Sequence, residues 1–280
     1  MPDSTQSPVW FITGCSSGLG RSLAEAVLRR GHRLIATARR IQSIEDLAQS
    51  HPELTRIFAL DVSDAGQVAE VVARGAEAFG RLDVVVNNAG YGLIGSVEDV
   101  SEEQAARNFD VNFFGALRVI RATLPILRAQ RRGHFVTISA AAVIGNYAGF
   151  SIYGASKWAL EGACESLAAE VKPLGIRVTM VQPGPFRTEF IGRSLVRAPA
   201  ATADYAATSG KFLRFLESMD GKQPGDPAKA AEAILNAVES ENPPQRLVLG
   251  KYAIEKTRRK LAAAARELEA WSAVGLATDF

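Results

Sequence analysis

Val9-Trp10-Phe11-Ile12-Thr13-Gly14-Cys15-Ser16-Ser17-Gly18-Leu19-Gly20 is the stretch that decides the fold. A run of β-branched and aromatic residues ends on a turn with glycines at 14, 18 and 20, and an amphipathic segment over 21–30 follows it. Glycines so placed let the backbone turn tightly and approach a pyrophosphate, whose charge suits a helix N-terminus. Between a strand and a helix, this turn marks Gly14, Ser16, Ser17, Gly18, Leu19 and Gly20 as a nucleotide-binding loop.

Outward from that loop, short apolar runs alternate with longer amphipathic ones. Residues 33–38 read as a strand, 43–49 as a short helix and 56–60 as a strand. Residues 65–79 have helical spacing, with Val68, Val71, Val72, Ala76 and Phe79 on one side. The unbroken apolar run 82–86 has the character of a strand buried on both faces. Ser101, with Glu103 and Gln104 behind it, opens one long helix running towards Gln130. Residues 134–138 then read as a strand, 151–171 as a helix and 176–181 as a strand. Such alternation predicts an α/β fold: a doubly wound parallel sheet with helices on both faces, in a single domain. Ligands in such sheets bind beyond the carboxyl ends of the strands.

Past Val181 the pattern loosens. Residues 185–225 read as a flap over the site, with a helical patch at 211–219; 228–240 are helical again and 247–249 form a last edge strand. The closing segment 252–271 is a charged amphipathic helix. The predicted organisation is a polar tail over 1–8, the domain over 9–250 and a helical extension over 251–280.

Composition narrows the function classes. With 280 residues, 47% of them hydrophobic, the chain can fill a sizeable core without staples. Cys15 and Cys164, its two cysteines, stand far apart and outside any Cys/His cluster, so neither a disulfide nor a metal site is expected and a reducing compartment is. A net charge of +2 from 32 basic and 30 acidic residues offers no nucleic-acid surface. No apolar run approaches the ~18 residues of a membrane span, and the first eight residues carry no signal-peptide pattern, so the expected location is cytoplasmic.

Five motifs in order, covering roughly residues 9–190, resemble the short-chain dehydrogenase/reductase family: the TGxxxGxG loop, Asn87-Asn88-Ala89-Gly90, Asn112 in Val111-Asn112-Phe113, Tyr153-Gly154-Ala155-Ser156-Lys157, and Pro183-Gly184 with Thr188 beyond. The resemblance implies a Rossmann-type fold and a nicotinamide cofactor. It also implies that Asn88, Ala89, Gly90, Pro183, Gly184 and Thr188 line the cofactor, together with Asp61 and Val62 after the third strand. Lys157 would hold the nicotinamide ribose and Asn112 a water in a proton relay; Asn112 also reads as a polar residue satisfying a kinked helix.

Tyr153 and Lys157 lie four apart, so on a helix they share one face. A lysine cation stabilises phenolate and lowers the pKa of a phenol towards useful acid/base territory. These two residues and Asn112 are the expected catalytic group. At the end of the second strand, where NAD-binding relatives usually carry an acid, this chain has Arg39 and Arg40. Two guanidiniums and no carboxylate suit a 2′-phosphate, so NADP(H) is expected over NAD.

One motif fails. The family's serine, thirteen residues before the tyrosine, is Ala140 here, and Ser139 is one place off, where an extended backbone turns its side chain the other way. Three readings compete: an engineered Ser→Ala variant, which is favoured; an enzyme using another donor such as Ser139, Asn146 or Tyr147; or a nucleotide-binding protein without turnover. The substrate pocket should be framed by residues 91–93, 140–150 and 185–216, with Ser139, Ala140, Tyr147, Phe150 and Phe186 as contacts and Phe190, Phe212 and Phe215 nearby. So many phenylalanines with so few charges favour an apolar or aromatic ketone, aldehyde or alcohol. The expected activity is therefore NADP(H)-dependent interconversion of carbonyl and alcohol, weakened by Ala140. A nucleotide sensor and an epimerase or dehydratase are the rivals. By resemblance, helices over 101–130 and 151–172 would build a homodimer or homotetramer.

Overall fold

The strand β1 (Val9–Ile12) has four apolar residues, all of them buried, which is the condition for a central strand covered on both faces. In the computed structural model, which describes residues 7–280, it begins a regular alternation; of the expected tail, residues 1–6 lie outside the described residues. After it come α1 (Gly18–Arg29), β2 (Arg33–Ala38), α2 (Glu45–Ser50), β3 (Thr55–Ala59), α3 (Ala65–Phe79), β4 (Val84–Asn87) and β5 (Gly92–Ile94). The chain continues through α4 (Glu102–Phe109), α5 (Ala116–Gln130), β6 (Gly133–Ile138), α6 (Ser151–Val171) and β7 (Ile176–Pro183). It closes with β8 (Leu195–Arg197), α7 (Ser209–Met219), α8 (Pro227–Glu239), β9 (Arg246–Leu249) and α9 (Lys251–Leu276).

Seven strands form one parallel sheet in the order β3-β2-β1-β4-β6-β7-β9. Ile12 stands beside Ala36 on one flank and Val86 on the other, so the strand order reverses at β1. The crevice that takes ligands in open α/β sheets opens at this reversal. Leu23, Val27, Ile234 and Leu235 of α1 and α8 cover one face. Val68, Val72, Val119, Leu127 and Leu160 of α3, α5 and α6 cover the other. Caps fix where helices begin: the Asp64 carboxylate accepts from Gln67 N at 3.0 Å before α3, and the Ser101 hydroxyl from Gln104 N at 3.2 Å before α4. Among the described residues, no helix is long and apolar enough to cross a membrane.

Three features depart from the expected pattern. The helix expected to run from Ser101 towards Gln130 is broken between α4 and α5 by a π-helical stretch, Asp110–Gly115. One wide turn of this kind re-aims a side chain without ending the helix, and the side chain re-aimed here is Asn112. The segment 185–225 is more regular than expected, because β8 pairs in parallel with β5 as a two-stranded ribbon, Gly92 beside Leu195. Three-residue strands leave too short an alternation to be read from sequence. Finally, α9 runs to Leu276, past the expected 271.

Near the amino ends of β1, β4 and β6 several polar groups are paired. Asp83 accepts from Val9 N at 2.9 Å and from Arg132 Nη2 at 2.7 Å. His134, buried at the foot of β6, meets the Thr179 hydroxyl at 2.9 Å through Nε2. Burial, reinforced by the Arg177 charge, lowers its pKa from 6.5 to about 4. Folding therefore favours the neutral ring, and the unfolded chain takes up the proton first. The stability owed to this ring is complete above pH 6.5 and is lost as the pH falls towards about 4. That loss should reach about 3 kcal/mol. In urea unfolding measured between pH 7 and pH 4, His134→Gln should flatten the dependence on pH; an unchanged slope would contradict this assignment.

Candidate active site

Thr13, just past β1, ties the two strands that border the crevice. Its hydroxyl donates to Val86 O at 3.2 Å and accepts from Asn88 N at 2.9 Å and Ala89 N at 3.0 Å. The Asn88 amide reaches back to Thr13 O at 2.8 Å and Gly14 O at 3.0 Å. The glycine loop and the Asn87-Asn88-Ala89-Gly90 segment are thus one hydrogen-bonded unit, and the glycines are what let it close. Gly14 and Gly18 hold φ of +73° and +61°, in the left-handed region. At Gly20 a Cβ would collide with the Asn88 amide and the Gly14 carbonyl.

These residues fit a dinucleotide. Ser17 caps α1 by position only, with no side-chain bond to the first turn, so the N–H groups there remain free to face a phosphate. Ser16 and Leu19 lie in the same loop, and Thr188, from beyond β7, comes down over Gly18: a Cβ there would lie 3.5 Å from Thr188 Cβ. Further along the crevice, Asp61 accepts from the Ser63 hydroxyl at 2.7 Å. Burial pushes its carboxyl up, but Ser63's two hydrogen bonds and the Arg39 and Arg118 charges hold it below its ordinary value. Val62 packs against Gly115, where a Cβ would stand 2.6 Å from Val62 Cγ2. Arg39 and Arg40, past β2, are exposed. Pro183 pairs with Leu249, and Gly184 N donates to Leu249 O at 2.9 Å, which places the end of β7 beside the start of α9.

Tyr153 and Lys157 share the inward face of α6, and both are buried. Lys157 Nζ donates to Ile138 O at 2.9 Å. A Cβ on Gly90 would stand 2.8 Å from Asn112 Oδ1 and 3.4 Å from Lys157 Nζ, so the three residues converge on one spot. Asn112 accepts from Tyr91 N at 2.9 Å and donates to Tyr91 O at 3.0 Å and to the Ser156 hydroxyl at 3.1 Å. Its amide therefore pins the chain after β4 to the π-helical stretch and to α6. Ser156 and Asn108 belong to this network and were not singled out from the sequence. Their signal was spacing, Ser156 one residue before Lys157 and Asn108 four before Asn112.

The expected lowering of the Tyr153 pKa is corrected by the structure. Burial pushes this phenol well above its ordinary value, and the Lys157 ammonium is turned to the Ile138 carbonyl. Burial also pulls Lys157 down to about 8, against the opposing influence of Cys164 and Glu161. Neutral pH thus leaves Tyr153 protonated.

Ala140 points into a cluster with Leu93, Ile94, Phe150 and Tyr153. Ser139, its neighbour in the chain, has its hydroxyl buried and without a partner among the described residues. Tyr147 lies at the edge of the cluster, its ring stacked on Phe212 at 4.8 Å and its hydroxyl 3.1 Å from that of Tyr252. Asn146 spends its amide on Phe150 O and Tyr147 N. Phe190 adds a wall 5.8 Å from the Tyr153 ring. Phe186, expected as a substrate contact, is placed elsewhere: it pairs with Gly225 and packs on the α1–α8 side of the sheet.

Comparison with known proteins agrees with this geometry. A family model described as short chain dehydrogenase matches residues 8–195. Oxidoreductase BOA17 of Botryotinia fuckeliana is 38% identical over 272 residues, covering 96% of this chain and 98% of its own. The 3-ketodihydrosphingosine reductase of Bacteroides thetaiotaomicron is 36% identical, with 88% of both chains covered. Among solved structures, a short-chain dehydrogenase from Streptomyces avermitilis superposes with a TM-score of 0.92 at 39% identity, covering 99% of this chain and 100% of that one.

The loop geometry makes Gly20→Ala a direct test of the crevice. The added methyl must displace the Asn88 amide, so nicotinamide dinucleotide affinity should fall at least about tenfold, or ~1.4 kcal/mol. Titration calorimetry would show it, and affinity equal to that of the parent would rule out this loop as the phosphate cradle.

Proposed function

The chain belongs to the short chain dehydrogenase family, and from that premise we propose that it interconverts a ketone or aldehyde and the corresponding alcohol on a small apolar or aromatic molecule, with NADP(H). The observation that carries this reading is a buried phenol, Tyr153, set at the edge of an apolar cluster one helical turn from the buried cation of Lys157. A nicotinamide, when bound, supplies or accepts the hydride.

The chain's own residues would do the rest. Tyr153, neutral at pH 7, gives its proton to the carbonyl oxygen, as reduction requires. Lys157, anchored on Ile138 O, lies close enough to Gly90 and Asn112 to hold the cofactor's ribose and to steady charge left on the phenol. Leu93, Phe150, Phe190 and Phe212 exclude water from the reacting atoms, which strengthens every polar contact there. A ketone substrate is also in keeping with the relative named 3-ketodihydrosphingosine reductase. The 2′-phosphate of NADP(H) would be met by Arg39, whose charge lies near Asp61 in the crevice and which forms no ion pair among the described residues.

Ala140 leaves the substrate oxygen with Tyr153 as its donor and lacks the second hydroxyl. Losing one such donor typically costs about 10²–10³ in rate. The same residue favours a second reading, nucleotide binding without turnover.

An NADPH-oxidation assay over a panel of ketones separates the two. Ala140→Ser should raise kcat by about 10². Tyr153→Phe should lower it at least as far while leaving nucleotide affinity near that of the parent. Were neither the parent nor Ala140→Ser to oxidise NADPH, the reductase reading would fall and the binding protein would stand.

Cofactor choice is tested by Arg39→Ala. The KM for NADPH should rise about tenfold, equivalent to the loss of one charge-assisted contact, and that for NADH should not. Equal changes for both cofactors would remove Arg39 from the assignment.

A further inference from the structure

Lys157 alone among the described lysines and arginines is buried, and it forms no ion pair there. A charge taken out of water is costly unless an opposite charge or strong hydrogen bonds compensate it. One neutral carbonyl, Ile138 O, meets part of that need.

Glu161 lies four residues further along the inward face of α6, and it is buried too. Side chains at that spacing are neighbours on a helix. Its carboxylate is fixed from β7 and β9. Gln182 Nε2 donates to Oε1 at 2.8 Å and to Oε2 at 2.9 Å, and Arg246 Nε donates to Oε2 at 3.2 Å. Gln182 follows Val181, which stands beside Ile138, so Lys157 and Glu161 are anchored at one level of adjoining strands. Arg246 does not belong to Glu161 alone, because its Nη2 donates to the exposed Glu165 at 2.8 Å. In this trio two carboxylates share one guanidinium, which leaves one negative charge over. The cation that Glu161 reaches to balance it is Lys157.

We propose that Glu161 is a positioning residue for the reaction, the counter-charge that keeps the Lys157 ammonium charged and turned to Ile138 in its buried site. The proposal rests on the role given to Lys157 above, since a neutral amine could not steady charge on the Tyr153 phenol. The other titratable groups beside Lys157 on α6 stay neutral near pH 7: burial pushes the Cys164 thiol up to about 11 and Tyr153 well above its ordinary value. Glu161 thus works against burial, which pulls Lys157 down to about 8. A carboxylate that merely braced α6 against β7 and β9 would lower Tm when removed and leave Lys157 untouched.

NMR of the full chain carrying isotope-labelled lysine reads Lys157 directly, its resonance identified by its loss in Lys157→Arg. The titration midpoint of the parent should lie at about 8, and Glu161→Gln should lower it by about one unit or more. Arg246→Gln, at the exposed edge of the sheet, removes the positive charge of the trio and should move the midpoint the other way. In the NADPH-oxidation assay the alkaline limb of kcat should follow, so that Glu161→Gln loses more activity at about pH 8 than at about pH 6. An unmoved midpoint, or a shift in the same direction for both variants, would overturn the proposal however far Tm falls. Midpoints that shift as expected in a chain that oxidises no NADPH would uphold the counter-charge and remove the reductase reading instead.

Discussion

The bond network around Thr13 sets the rest of the molecule's chemistry in place. Two neighbouring parallel strands that diverge at a reversal of strand order leave a gap, and nothing in the sheet itself fixes its width. One hydroxyl and one amide fix it here, joining the ends of β1 and β4 through Val86, Asn88, Ala89 and Gly14. With that width set, the first turn of α1 faces the gap, and the segment after β4 reaches Asn112. Asn112 in turn ties this segment to the helix that carries Tyr153 and Lys157. Glycine at 20 is the steric condition for the whole arrangement.

The apolar cluster beyond the crevice is built on a different principle. Phe150, Tyr153, Phe190, Phe212 and Tyr147 meet edge-on, tilted or stacked at 4.8–6.2 Å, so aromatic contacts do the shaping that hydrogen bonds do below. In such surroundings a phenol stays protonated. Ser139 is one step from Ala140 along backbone that is extended at that residue, where successive side chains alternate in direction.

Much of this was legible in the sequence because it rests on local geometry. The strand and helix bounds around 33–38, 65–79 and 151–171 follow from periodicity, and the seven-strand sheet follows from their alternation. The shared face of Tyr153 and Lys157 follows from a spacing of four. What escaped depends on contacts between distant segments. At the π-helical turn the Asn112 amide pairs with the backbone of Tyr91, a distant partner that helical periodicity alone does not reveal. Phe186 sits on the far side of the sheet because Gly225 leaves room for its ring. The Tyr153 pKa was misjudged because spacing shows that a cation is near but not how far both groups are removed from water.

An all-parallel sheet gives a molecule two rims of opposite character. At the lower rim Asp83 pairs with Arg132 and His134 with Thr179, and the buried Thr55 hydroxyl is the exception, with no partner among the described residues. At the upper rim both amide atoms of Asn87 and the hydroxyl of Ser139 are buried with no partner among the described residues. Damage should therefore sort by latitude: lesions below deplete the folded population, while lesions above leave well-formed molecules that are idle. A collection of random variants sorted by yield and by turnover would trace the sheet's polarity without any coordinates.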